Sequence, residues 1–130
     1  MVSKPILIVD DEPIVRESIA DWLKDAGYQV ATAETGEEAL ELIEKQAFSV
    51  VILDIRLPGK TGIKVLEEVK ALKPEIKSII ITAYPTVELV TEAKKLGAID
   101  FLIKPIAPDD MERLIRETLA SVGREPTNQY

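Results

Sequence analysis

Near-continuous apolar runs of about strand length recur along the chain, separated by longer stretches in which apolar residues fall three and four apart. The runs Ile6–Asp10, Ser49–Asp54 and Ser78–Thr82 are rich in Ile and Val, and Asp100–Lys104 carries Phe, Leu and Ile. That is the composition of strands buried on both faces of a parallel sheet. The run Tyr28–Ala33 is broken by Gln29 and Thr32, which predicts an edge strand. Between the runs lie helical stripes. Val15, Ile19, Trp22, Leu23 and Ala26 form the first, with Gly27 as its stop signal. Thr35 followed by Glu38 reads as a capping box, after which Ala39, Leu40 and Ile43 face inward. Leu66, Val69 and Leu72 mark a third helix that ends before Pro74. Val90, Ala93 and Leu96 mark a fourth, with Pro85 expected in its first turn and Gly97 after it. Met111, Leu114, Ile115, Thr118, Leu119 and Val122 mark a fifth, with Asp109 and Asp110 suited to its N-terminal dipole.

Strict alternation of strand and helix predicts an α/β fold of the (βα)5 kind, a doubly wound parallel five-stranded sheet with right-handed crossovers. The flavodoxin-like strand order 2-1-3-4-5 puts Tyr28–Ala33 at an edge and the first and third strands at the switch point. Residues 1–122 form one expected domain, and 123–130, which lack apolar periodicity, a flexible tail or the start of a linker to an absent output domain.

Composition narrows the chemistry. The 130 residues are 46% hydrophobic, enough for a core, and the formal net charge of -7 (16 basic, 23 acidic residues) argues against direct nucleic-acid binding by this segment. The absence of Cys excludes disulfides and thiolate metal sites and fits a cytoplasmic protein. The absence of His excludes Ser-His-Asp triads, His-ligated zinc and any phosphohistidine on this chain. The N-terminal apolar run is too short, and too quickly ended by acids, for a signal peptide or membrane span.

The chemistry gathers at the ends of the runs. Asp10, Asp11 and Glu12 follow the first, Asp54 ends the third, Thr82 the fourth and Lys104 the fifth. If the first and third strands are neighbours, Asp10, Asp11 and Asp54 converge where a parallel sheet binds ligands. Two carboxylates about 4 Å apart repel by roughly 4 kcal/mol at an effective dielectric of 20, about three pK units. Lys104 supplies one compensating charge, and a divalent cation would supply more. All-oxygen donors without His or Cys point to Mg2+. In that arrangement Asp54 is the candidate nucleophile toward phosphorus, Asp10 and Asp11 hold the metal, and Lys104 and the Thr82 hydroxyl pair with phosphoryl oxygens. A phosphohistidine donor has to come from another protein. The plainer reading, in which the acids only cap a helix and a turn, leaves Thr82 and Lys104 unexplained.

These pieces closely resemble the receiver domains of two-component response regulators over residues 4–122. The matching segments are Ile6-Leu7-Ile8-Val9-Asp10-Asp11-Glu12, Asp54-Ile55-Arg56-Leu57-Pro58 with Gly62, Ile81-Thr82-Ala83, and Asp100-Phe101-Leu102-Ile103-Lys104-Pro105. The resemblance implies phosphorelay signalling rather than metabolic enzymology: Asp54 is the phospho-acceptor, Asp11 a direct Mg2+ ligand, Asp10 a ligand mainly through water, and the Arg56 backbone carbonyl a further ligand. It implies a switch made of Thr82 and Phe101 that alters the surface of helix 4, strand 5 and helix 5 for an output, with transcription regulation the expected one. It also implies a sensor histidine kinase or phosphotransfer protein as partner, and leaves a phosphorylation-dependent homodimer as a candidate. Glu92, Lys94, Lys95 and Arg113 would lie on that face, although exposed charges generally only solvate a surface.

Phe101 stands where many members have Tyr, and Thr61 where many have Asp, the latter expected to affect only the turn. Arg56 and Tyr84 are expected to flank the path of hydrolytic water and to slow loss of the phosphoryl group. The stretch Ile81–Tyr84 through Lys94–Ala98 looks most like receivers attached to sigma-54 activators of the NtrC-like type, with Pro85 a departure.

The rivals are weaker. Gly59-Lys60-Thr61 resembles the end of a Walker A loop, but its first glycine would fall on Asp54. A haloacid-dehalogenase-type phosphatase would want Asp where Arg56 stands, and a flavodoxin a glycine- and hydroxyl-rich loop where Asp10-Asp11-Glu12-Pro13 stands. A receiver-like interaction module working without phosphorylation is the serious alternative, and the intact set Asp11, Asp54, Thr82 and Lys104 counts against it.

Overall fold

The computed structural model describes residues 4–120. Five strands and five helices alternate: β1 (Ile6–Val9), α1 (Pro13–Asp25), β2 (Val30–Ala33), α2 (Gly36–Lys45), β3 (Val50–Asp54), α3 (Gly62–Leu72), β4 (Lys77–Thr82), α4 (Val87–Lys95), β5 (Ala98–Ile103) and α5 (Pro108–Ala120). All strand pairs are parallel and the order is β2-β1-β3-β4-β5, as the alternation predicts. Val122 and residues 123–130 lie outside the described residues.

Alternate residues of the central strands supply two cores. Leu7, Val9, Val51, Leu53 and Ile80 pack on one face against apolar residues of α2, α3 and α4. Ile6, Ile8, Val50, Ile52 and Ile79 pack on the other against α1 and α5. Each strand side chain thus stands between two helix layers, which is why these runs are apolar at every position. Full burial of each stabilises by about 1.5–3 kcal/mol. The strand β5 is the exception: Ile99 and Ile103 are 45% and 57% exposed, so its apolar run is not buried throughout. It is the second edge of the sheet, and among the described residues its outer side has no neighbouring strand.

Helix starts follow local chemistry. The hydroxyls of Thr35, Thr61 and Thr86 accept hydrogen bonds from the N–H groups of Glu38, Lys64 and Leu89 at 3.1, 3.3 and 3.1 Å. Glu38 returns its bond to the Glu34 N–H at 2.9 Å, one residue ahead of the Thr35 expected from a capping box. Thr86, as N-cap, puts Pro85 outside α4 rather than in its first turn. Thr61 caps α3, so it does the turn's work. Gly27 and Gly97 follow α1 and α4 with φ +99° and +101°, the left-handed conformation in which L side chains are strained.

Strand register positions the site. Val9 pairs with Leu53, so Asp10 and Asp54 leave adjacent strands at one level. Thr82 pairs with Ile103, and the Lys104 N–H donates to the Thr82 carbonyl at 2.9 Å. On the far side of Asp54, the first residue of α3 crosses the backbone closely. A Cβ on Gly62 would sit 2.4 Å from the Asp54 carbonyl oxygen and 2.5 Å from Ile55 Cα. Both are backbone atoms that cannot step aside without moving the strand end. Gly62→Ala is therefore expected to destabilise by about 2 kcal/mol or more. Thermal unfolding would show this as a midpoint lower by several degrees, and an unchanged midpoint would contradict the close packing.

Candidate functional site

The C-terminal ends of β1, β3 and β5 meet around one amine. Lys104 Nζ lies 2.9 Å from Asp10 Oδ2, 2.7 Å from Glu12 Oε1 and 2.8 Å from Asp54 Oδ2. Asp10 is fully buried, Asp54 is 4% exposed, and Thr82, beside them on β4, is 1% exposed. The Lys104–Pro105 peptide bond is cis.

Each buried aspartate divides its work between its oxygens. Asp10 Oδ1 accepts from the Glu12 N–H at 2.9 Å, and Asp54 Oδ1 from the Arg56 N–H at 2.9 Å. These bonds fold the chain back just after each strand, in the manner of an Asx turn. Asp54 thus caps a turn with one oxygen, as the plainer reading has it, whereas Asp10 closes a turn ahead of α1 and does not cap the helix, whose start has no side-chain cap bond. The other oxygen of each is aimed at Lys104. Asp10 Oδ2 is buried and makes this ion-pair contact without an aligned hydrogen bond, so it keeps acceptor capacity.

Burial is the largest influence on the Asp10 carboxyl and raises its pKa; the Glu12 N–H and Lys104 oppose this, and the Asp54 charge adds to it, leaving the pKa raised. For Lys104, burial alone would lower the pKa, but its close contacts with Asp54, Glu12 and Asp10 together outweigh it and leave the ammonium firmly protonated. The two shifts have the same sign and differ in the pH window where they act. A raised Asp10 pKa contributes stability that is present below the unfolded value and lost as pH rises through the folded one. The Lys104 contribution is likewise lost only as pH rises through its folded value, well above neutrality.

Carboxylate oxygens of Asp10, Glu12 and Asp54 all lie within 4.8 Å of one another, an all-oxygen donor set fit for a hard divalent cation. The sequence reading grouped Asp10, Asp11 and Asp54. The structure brings Glu12 into the compact cluster, while Asp11 is exposed and lines the adjoining open cleft of about 310 Å3 with Glu12, Asp54, Arg56, Tyr84 and Lys104. The Arg56 guanidinium lies 4.9 Å from the centre of the Tyr84 ring, a cation–π contact across the cleft's edge. The Tyr84 N–H donates to Thr82 Oγ1 at 3.1 Å. Phe101 is half-buried against the core on the α2–α4 side of the sheet.

Two residues at the site escaped the sequence reading as site residues. Glu12 stood in the acidic run, yet only the three-dimensional arrangement shows that it reaches Lys104. Arg16 is buried, donating from Nη1 to the Asp10 carbonyl at 2.8 Å, with Nη2 3.6 Å from Glu34 Oε2. Its signal was a charge on the apolar side of α1, one turn before Ile19 and Ala20.

A doubly wound parallel sheet with a lysine among strand-end carboxylates, and a buried threonine on the intervening strand, defines a receiver-like α/β class with its site at the strand ends. The chain belongs to the response regulator receiver domain family, whose profile matches residues 6–116. It is 42% identical over 115 residues to the transcriptional regulatory protein ZraR of Escherichia coli K12, a match covering 88% of this chain and 26% of that protein. The chain thus spans about a quarter of that relative's length, and its receiver is of the NtrC-like type. It is 34% identical over 119 residues to sporulation initiation phosphotransferase F of Bacillus subtilis 168, covering 92% of this chain and 96% of that one. Among solved structures it superposes on a CheY-like response regulator receiver domain protein from Methanospirillum hungatei JF-1 with TM-score 0.89 and 35% identity, covering 92% and 95% of the two chains. No helix among the described residues is long and apolar enough to cross a membrane.

Removing the amine should expose the cost of the acids. Lys104→Met leaves Asp10, Glu12 and Asp54 facing one another, a loss of up to about 3 kcal/mol near pH 7. Asp10 should then be protonated at still higher pH, so the deficit is expected to shrink as pH falls toward about 5. Thermal unfolding of both proteins across that range is the check. A deficit independent of pH would show that charge repulsion is not its source.

Proposed function

We propose that this receiver accepts a phosphoryl group on Asp54 from a phosphohistidine of a sensor histidine kinase or phosphotransfer protein, in a Mg2+-dependent reaction. The observation that carries this reading is the Lys104 ammonium within 2.7–2.9 Å of three carboxylates, one of them on the proposed acceptor. An Asp54 oxygen forms the bond to phosphorus as the phosphorus–nitrogen bond breaks, and the imidazole leaves with the electron pair. Lys104, already at 2.8 Å from Asp54 Oδ2, is placed to pair with a phosphoryl oxygen. Thr82 Oγ1 accepts from the Tyr84 N–H, which leaves its own O–H to donate to another.

Asp10, Asp11 and Asp54 would hold the Mg2+, with the Arg56 carbonyl completing the protein's share. Bound there, the ion would neutralise charge on the acids and on the transferred group. Phosphorylation is proposed to draw Thr82 toward the phosphoryl group, with Phe101 moving further inward from its half-buried position. That change biases the α4–β5–α5 surface. Val87 on α4 and Ile99 and Ile103 on β5 are 80%, 45% and 57% exposed, apolar area suited to a conditional contact. We assign that surface to an output that controls transcription, on the similarity to ZraR, with phosphorylation-dependent homodimerisation as one form of the contact. The protein acts in the cytoplasm, and its catalysis is limited to its own phosphorylation and dephosphorylation.

Intact-mass spectrometry after incubation with acetyl phosphate tests the reading. One added phosphoryl group that requires Mg2+ and is absent in Asp54→Ala is expected. No added mass, together with failure of beryllofluoride to bind, would favour an interaction module that works without phosphorylation.

The stacked Arg56 and Tyr84 side chains stand at the cleft's edge, where they would hinder water approaching the aspartyl phosphate. Tyr84→Gly should shorten the aspartyl-phosphate half-life several-fold, read as loss of the added mass with time. An unchanged half-life would remove Tyr84 from this role.

A further inference from the structure

Arg16 is a buried cation that the proposed phosphoryl chemistry does not use. It is 9% exposed on α1, and its side chain reaches past the start of its own helix to the end of β1. Burying a guanidinium costs several kcal/mol unless its donors are used well. Its Nη1 donates to the Asp10 backbone carbonyl at 2.8 Å, while Glu34, 64% exposed, gives only a loose ion pair at 3.6 Å. The strong bond therefore goes to a backbone atom.

That atom belongs to the peptide unit joining Asp10 to Asp11. A peptide unit is planar, so fixing the direction of its C=O also fixes its N–H and the Cα of the next residue. The rest of Asp10 is already held. Its N–H donates to the Ala33 carbonyl at 3.2 Å, and its Oδ1 accepts from the Glu12 N–H at 2.9 Å. Asp11 has no such restraint on its side chain from the buried cluster: it is exposed and lines the open cleft. The orientation of the Asp10–Asp11 peptide is thus the handle through which the fold can aim the Asp11 carboxylate.

We propose that Arg16 is a positioning residue that orients the Asp10–Asp11 peptide, and through it directs Asp11 toward a divalent cation. The proposal rests on the reading that this acidic pocket holds Mg2+. Groups that orient metal ligands without touching the metal commonly affect affinity by about 10- to 100-fold. A purely structural arginine would instead affect stability alone.

The test is a Mg2+ titration of the isotopically labelled 130-residue chain, followed by amide NMR shifts, with thermal unfolding measured in parallel without Mg2+. Arg16→Met should weaken Mg2+ binding by about tenfold. Glu34→Gln, which leaves the Asp10 bond intact, should weaken it far less. Ile19→Val, a buried change on the same helix away from the carbonyl, should lower the unfolding midpoint with no change in affinity. If Arg16→Met does not fold, Arg16→Lys keeps the charge but loses the planar fork, and should show a smaller loss of affinity. Wild-type affinity in a folded Arg16 variant with a lowered midpoint would overturn the proposal and leave Arg16 a structural residue. No saturable response in the wild-type chain would overturn the metal-site reading itself, and this inference with it.

Discussion

The ammonium of Lys104 holds together carboxylates that would otherwise push the ends of β1 and β3 apart. Parallel strands entering a site from one direction must bring their side chains to one end of the sheet. When two of those side chains are buried aspartates on neighbouring strands, their charges cannot be left unopposed in a low-dielectric interior. Lys104 reaches them from β5 at the edge of the sheet, across β4. Its charge is pinned by the same acids it compensates, so acids and amine depend on one another.

That mutual dependence also leaves the site incompletely balanced. Among the described residues, Asp10, Glu12 and Asp54 outnumber the single amine in contact with them, and Asp10 keeps a raised pKa despite its partner. A pocket in this condition gains free energy by taking up positive charge, and its amine gains a better partner if more negative charge arrives. The same physics underlies the proposed roles of the site, receiving a cation and sensing a phosphoryl group. The surrounding fold serves this balance: the Asx turns at Asp10 and Asp54 fix one oxygen of each acid, and Gly62 lets α3 start against the Asp54 backbone.

Much of the architecture was legible because its causes are local. Apolar runs flanked by Gly27, Gly97 and cap threonines set the order of elements, and the alternation set the topology. Misreadings arose where two local rules competed or where an edge intervened. Pro85 is permitted in a first turn, but the Thr86 hydroxyl offers a better cap and begins α4 after it. The apolar run of β5 reads like those of β3 and β4, yet lying at the sheet's edge leaves Ile99 and Ile103 exposed.

The sequence by itself determined the alternating elements, the strand ends where chemistry gathers, and the candidate set Asp10, Asp11, Asp54, Thr82 and Lys104. These follow from periodicity and from residue types at strand ends, which are properties of short segments. Only the tertiary structure decided which atoms meet. Lys104 bonds with partners 92 and 50 residues away in the chain, and the third acid drawn to it is Glu12, while its neighbour Asp11 faces the open cleft. Likewise, only packing turned Arg16 inward to the Asp10 carbonyl. Side-chain reach and direction depend on strand register and on the turn that follows each strand, and those are settled by contacts between segments far apart in sequence.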